Sequence, residues 1–290
     1  MAAGDLITQD GQLEFNGLLL GGGTVYGWRQ LDGWDDLPPL QAANATRPSQ
    51  HGSYPGQLVA GERVITWDFL ISTTVAAFPA AVAALRAATA VPSGDVEIPL
   101  VIQLAGQKLL VNARCTQRAV GAPKTYPLGY VTGALQFVAS QPRRYTAVQS
   151  TASTGLPTAG TGLVYPLVYP LDYGSGGTPG AVQALNAGDT ATPCVLTVRG
   201  PATMPSVANQ TLNKTLEFSI TLAGSDVLTV DTAAGTVLLN GTANRLYTLT
   251  AKSTPVEDWL LAPSINDVAF RATAYDAAAL LTVTWRSAYL

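Results

Sequence analysis

The chain has 290 residues, 47% of them hydrophobic but only 12% charged, with 16 Lys and Arg against 19 Asp and Glu for a formal net charge of −3. Charge at about half of the roughly 25% usual for soluble proteins leaves a lone monomer short of solubilising groups, so partners are expected to cover much of the surface. The scattered basic residues exclude the dense positive stripe of a nucleic-acid binder, and the longest apolar run, residues 75–91, holds Pro79 and Arg86 and is too short to span a bilayer.

The opening MAAGDLITQDGQLEF has neither the basic n-region nor the apolar h-region of a signal peptide, which predicts synthesis in a cytoplasm. Gly21-Gly22-Gly23 leads into a strand rather than a helix and so does not form a phosphate cradle. The acidic stretch LDGWDDLPP (31–39) reads as a solvated loop with Trp34 as its one anchor. His51, the sole histidine, falls in a long loop punctuated by Gly52, Gly56 and Gly61 before a strand at Val64. No G-x-S-x-G elbow accompanies it, so a turn histidine is favoured over a catalytic one.

Period-two alternation then dominates. In RVITWDFLI, Ile65, Trp67, Phe69 and Ile71 face one way; in YVTGALQFVA, Val131, Leu135 and Phe137 do so. LEFSITL repeats the pattern with Leu216, Phe218, Ile220 and Leu222, and LLTVTWR with Leu281, Val283 and Trp285. Turn signals at Gly94-Asp95, Ala105-Gly106, Gly224-Ser225-Asp226, Ala234-Gly235 and Asn240-Gly241 separate the runs. One helix is predicted at about 78–90, where Phe78, Val82 and Leu85 recur at helical spacing and Pro79 falls in the first turn. Cys115 and Cys194 each continue an apolar strand face, so both are expected as free thiols in the core.

These signals predict a mainly β protein of two β-sandwich or jelly-roll domains, the first (1–146) carrying the helix. A linker over 147–162, rich in Ser, Thr, Gly and Pro, leads to the second domain at 163–290. That domain opens on GLVYPLVYPLDYG, a repeat of tyrosines and prolines that no inner strand or helix accepts. Extended, it sets Tyr165 and Tyr169 about 12 Å apart, the spacing of an arm that reaches separate pockets on a neighbouring surface. Tyr165, Pro166, Tyr169, Pro170 and Tyr173 are therefore the candidate assembly contacts. No metal-ligand spacing, nucleophile elbow or paired carboxylate motif singles out catalytic, cofactor or metal residues, and an enzyme is not expected.

Several stretches together resemble the distal tail protein family of long-tailed bacteriophages. In the first half these are YGWRQLDGWDDLPPL, HGSYPGQLVAGERVITWDFLI and QFVASQPRRY, with Gln141 standing where an acidic residue is common. In the second half they are the Tyr-Pro-Leu repeat, the LTVDTAAGTVLLNG hairpin and the closing VTWRSAYL, similar to tail proteins of phages of high-GC Gram-positive hosts. The resemblance implies a virion structural protein at the distal end of the tail. Six copies would form a ring, walled by the first domains, with galectin-like or carbohydrate-binding-module-like second domains outside. Its implied neighbours are the tail tube protein above and a tail-tip protein below, with the tape measure and receptor-binding proteins as further candidates. No cofactor, sequence-specific nucleic acid or membrane insertion is implied. The alternative is a lectin-like tail-tip protein in which Trp259 and Tyr247 stack on cell-wall sugars; a tail-tip glycan hydrolase rests on fold analogy alone.

Overall fold

Strand Arg63–Ser72 shows why the first half of the chain folds as it does. Ile65, Trp67, Phe69 and Ile71 are completely buried, while Val64 and Ser72 on the other face stay exposed. In this computed structural model, which describes residues 2–158, 169 and 177–290, such strands build two units, Met1–Ala147 with Leu290 and Val148–Tyr289.

The first unit contains β1 (Gln12–Phe15), β2 (Leu18–Gly21), β3 (Tyr26–Asp32), β4 (Leu40–Ala42), β5 (Ala45–Thr46), β6 (Ser53–Tyr54), β7 (Leu58–Ala60) and β8 (Arg63–Ser72). Helix α1 (Phe78–Ala88) follows, then β9 (Ile98–Leu104), β10 (Gln107–Val120), β11 (Tyr130–Ala139) and β12 (Arg144–Thr146). The main sheet runs β2-β1-β9-β10-β11-β8-β3, all antiparallel where paired. Strand β10 turns the sheet over on itself: residues 107–113 pair β9, residues 114–120 pair β11, and a bulge between Cys115 and Gln117 interrupts the start of the second pairing. Phe15 from one side meets Phe137 from the other with ring centroids 4.8 Å apart. Cys115, opposite Phe137 at the bulge, is half-buried and not the core residue expected.

Helix α1 begins with Pro in its first turn and buries Phe78, Ala81, Val82, Leu85 and Ala88. Its last carbonyls are met by the Thr89 and Ala90 N–H groups and by side chains. Thr89 Oγ1 donates to Leu85 O at 2.6 Å, Arg118 Nη1 to Arg86 O at 3.1 Å and Asn16 Nδ2 to Ala88 O at 3.1 Å.

In the second unit, β13 (Ser150–Gly155), β14 (Ala181–Asn186), β15 (Cys194–Arg199), β16 (Ala202–Thr203), β17 (Ser206–Asn209) and β18 (Lys214–Glu217) come first. They are followed by β19 (Thr221–Leu222), β20 (Val227–Asp231), β21 (Thr236–Leu239), β22 (Ala243–Asn244), β23 (Ser264–Arg271) and β24 (Leu280–Trp285). A six-stranded sheet, β13-β24-β15-β20-β21-β22, and a four-stranded sheet, β14-β23-β17-β18, share one core. Leu196, Val198, Leu228, Val230, Leu281 and Val283 enter it from the first sheet, and Val207, Leu216, Val268 and Phe270 from the second. This is a β-sandwich.

Two expectations need correction here. Residues 150–155, placed in the linker, form the edge strand β13 in register with β24 from Ser150↔Trp285 to Gly155↔Leu280. Its Ser and Thr side chains suit an edge with one wet face, while Ala152 packs on the core, so a linker-like composition describes a real strand. LEFSITL, read as one strand, is split into β18 and β19. Between them Phe218 bridges Leu249, and Ser219 N–H turns to Thr248 O at 2.7 Å.

Candidate assembly surfaces

Strands β3 and β8 are the inner legs of a longer hairpin. Beyond their last pair, Asp32↔Thr66, the two chains continue as a second ribbon in which β4 pairs β7 and β5 pairs β6. Residues 26–72 are thus one long hairpin whose distal half, 37–61, leaves the sheet as an arm. The reading of 31–39 as a solvated loop and of the stretch around His51, Gly52, Gly56 and Gly61 as a long loop missed this.

Chemistry sets the arm apart. Leu40↔Ala60 and Ala42↔Leu58 are directly opposite pairs on one face of the ribbon, so that face is wholly apolar. Leu37, Leu40, Leu58 and Val59 are 67%, 45%, 62% and 55% exposed. Between Leu37 and Gly61 the sequence has no acidic residue and one formal charge, Arg47, whose guanidinium lies 4.9 Å from the Tyr54 ring centre. His51 is exposed in the tip. A two-stranded ribbon in water is marginally stable at best, and an exposed apolar ribbon is a template for association.

The root of the arm is the opposite in character. Trp34, expected as the anchor of a solvated loop, is 3% exposed. Arg144 lies over its ring at 5.6 Å and pairs with Asp35. Arg63, the first residue of β8, is also buried; its Nε donates to Pro142 O, and its Nη1 to the carbonyls of Gly33, Trp34 and Asp36.

Of the five residues singled out in the Tyr-Pro repeat, Tyr165, Pro166, Pro170 and Tyr173 lie outside the described residues. Tyr169 is 85% exposed on the isolated chain. The aromatics named for sugar stacking part company. Trp259 is fully buried and donates its indole N–H to Lys214 O at 3.2 Å, which makes it core. Tyr247 is 77% exposed beside Arg245, in the short 3-10 helix Leu246–Thr248. On the outer face of the four-stranded sheet, the opposed pairs Leu185↔Ile265 and Gln183↔Asp267 offer no aromatic platform.

Among the described residues no group of three His, Cys, Asp or Glu is placed to hold a metal ion, and no helix is long and apolar enough to cross a membrane. One open hollow of about 280 Å³ lies on the first unit's sheet, lined by Arg29, Asp68, Thr132, Gly133 and small neighbours. It brings together one carboxylate, one guanidinium and the Thr132 hydroxyl, with no histidine or second carboxylate beside them. Burial pushes the Cys194 thiol up to about 12, so it is not a reactive cysteine.

A folded-over sheet with one helix and a hairpin arm of a single formal charge in the first unit, and a β-sandwich in the second, define a mainly β protein. Residues 187–289 match the family of siphovirus-type tail components, over its C-terminal domain. The fold of the whole chain is similar to that of Dit (gp 19.1) of phage SPP1, described as a paradigm of the hub adsorption apparatus in phages that infect Gram-positive bacteria. The identity is 12%, 96% of this chain and 99% of that one are covered, and the TM-score is 0.65. A chain of the phage P2 baseplate in its activated conformation with Ca is similar at 11% identity over 94% and 97% of the two chains, with a TM-score of 0.51. No curated protein matches the sequence.

Proposed function

We propose that the protein is a structural hub at the distal end of a siphovirus tail, built as a ring of six copies and without enzymatic activity. The observation that carries this reading is the match of residues 187–289 to a tail-component domain inside a chain that shares its fold, end to end, with a tail hub protein. The low charge content supports it, because a closed head-to-tail ring covers two different patches on every subunit. The first unit furnishes the ring wall, with the tail tube protein on one side and a tail-tip protein on the other. The Tyr-Pro repeat at Tyr165–Tyr173 packs on protein within the assembly. Gold-labelled antibody against the protein, applied to virions that contain it, should decorate the distal tail end. Label on the capsid or along the whole tube would exclude the hub.

A further inference from the structure

The arm's apolar face and its rigid root pose one physical question: why bury a guanidinium at the point where the arm leaves the sheet? Arg63 is 1% exposed. Its bonds to Pro142 O (2.8 Å), Gly33 O (2.9 Å), Trp34 O (2.8 Å) and Asp36 O (2.7 Å) all go to backbone carbonyls. None of these four carbonyls lies in a strand, and buried backbone groups need partners. A buried cation costs several kcal/mol of desolvation unless its bonds repay it, and here they supply partners to four carbonyls that an apolar side chain would leave unpaired. What an apolar side chain lacks is the ability to hold three segments at once. Those are the outgoing leg of the arm (33–36), the returning leg (Arg63 itself) and the exit segment at Pro142. The legs are tied a second time by Gly61 N–H to Pro39 O at 2.8 Å.

We infer that Arg63 is a positioning residue for assembly: it holds the arm in the attitude in which its Leu40, Ala42, Leu58 and Ala60 face is received by a second copy of this chain. The inference rests on the ring proposed above. The receiving surface must be poor in charge, because the arm carries no acid and a single Arg, and a chain with 12% charged residues offers such a surface in each further copy. An arm fixed before it docks loses less conformational freedom on docking than a swinging one, so the contact is tighter for the same buried area.

The test separates the arm's attitude from the ring. Nitroxide labels are placed at Gln50→Cys in the arm tip and Ala83→Cys on helix α1, within one unit, in a Cys115→Ser background; Cys194 is buried and stays unlabelled. Distances are read on dilute protein by pulsed electron spin resonance, and assembly is read on unlabelled protein by mass photometry. The parent is expected to give one narrow distance distribution. Arg63→Met, which keeps the aliphatic stem and removes the donors, is expected to broaden it and to weaken assembly at least tenfold while the chain stays folded. If Arg63→Met does not fold, Gly33→Ala takes its place. Gly33 has φ +78°, and a Cβ there would sit 1.9 Å from Val64 O, so the loop whose carbonyls Arg63 holds must shift. A folded variant with a narrow distribution, or one with a broad distribution and undiminished assembly, overturns the inference. A parent that remains monomeric overturns the ring reading, and the distance distributions then still decide whether Arg63 sets the arm.

Discussion

Asn209 donates its side-chain amide to Oδ1 of Asn266 at 3.2 Å, and both side chains are completely buried in the second unit. The pair closes a polar knot. Asn266 Oδ1 also accepts Ala262 N–H at 2.9 Å, and its amide donates to the carbonyls of Ala262 and Ser264; Asn209 Oδ1 accepts Thr211 and Leu212 N–H. The knot holds the loop into β23, where Ser264 sits at φ +81°. Removing one member leaves several buried groups unpaired, at about 1–3 kcal/mol each. Asn266→Ala is therefore expected to cost about 3 kcal/mol, seen in thermal melts as a drop of roughly 10 °C in the unit's transition. Asn266→Asp should be more damaging at pH 7 than at pH 4, since a carboxylate repels the carbonyls that the amide satisfied.

Cys194 makes stability depend on pH in a definite direction. Burial holds the folded thiol protonated to about pH 12, whereas in the unfolded chain it ionises near the ordinary 9. Above pH 9 the unfolded chain binds fewer protons than the folded one, so this contribution is intact below pH 9 and declines as pH rises toward 12. Cys194→Ala should cost on the order of 1 kcal/mol at pH 7 through lost packing. That gap should shrink in denaturant titrations run at increasing pH. A gap that widens with pH contradicts the assignment.

The arm's apolar face is exposed on the single chain, so charging it should not disturb the fold. Leu40→Asp with Leu58→Asp is expected to change the first unit's stability by no more than about 0.5 kcal/mol per site, as surface substitutions do. Assembly at micromolar concentration should be lost. Sedimentation velocity compares the two species directly.

The Tyr-Pro repeat gives a separable prediction. Tyr165→Ser with Tyr169→Ser should leave both units melting as in the parent, because Tyr169 is exposed on the isolated chain. The variant should nevertheless assemble more weakly, or yield assemblies with blurred outer lobes in negative stain. Unchanged, sharply defined assemblies would remove the repeat from the contact.

Where a residue's role follows from its own spacing, the sequence was enough. Ile65, Trp67, Phe69 and Ile71 alternate and are buried; Phe78, Val82 and Leu85 recur at helical spacing and form the inner face of α1. The arm was illegible for a physical reason: its residues pair only with each other, so no buried alternation marks β4 to β7, and glycines and prolines suggest a loop. The root was hidden too. Its hydrogen bonds join Arg63 to residues 27 to 79 positions away, and a charged residue opening a strand reads as solvent-facing until those partners are seen. Strand β13 was missed because an edge strand tolerates the composition of a linker.

The proposed ring of six copies fixes the mass of the assembled protein. Mass photometry of folded protein at micromolar loading should show a dominant species near 180 kDa, six times the 30.1 kDa chain. Monomers or dimers alone, in the purified protein and in material released from virions, would contradict it.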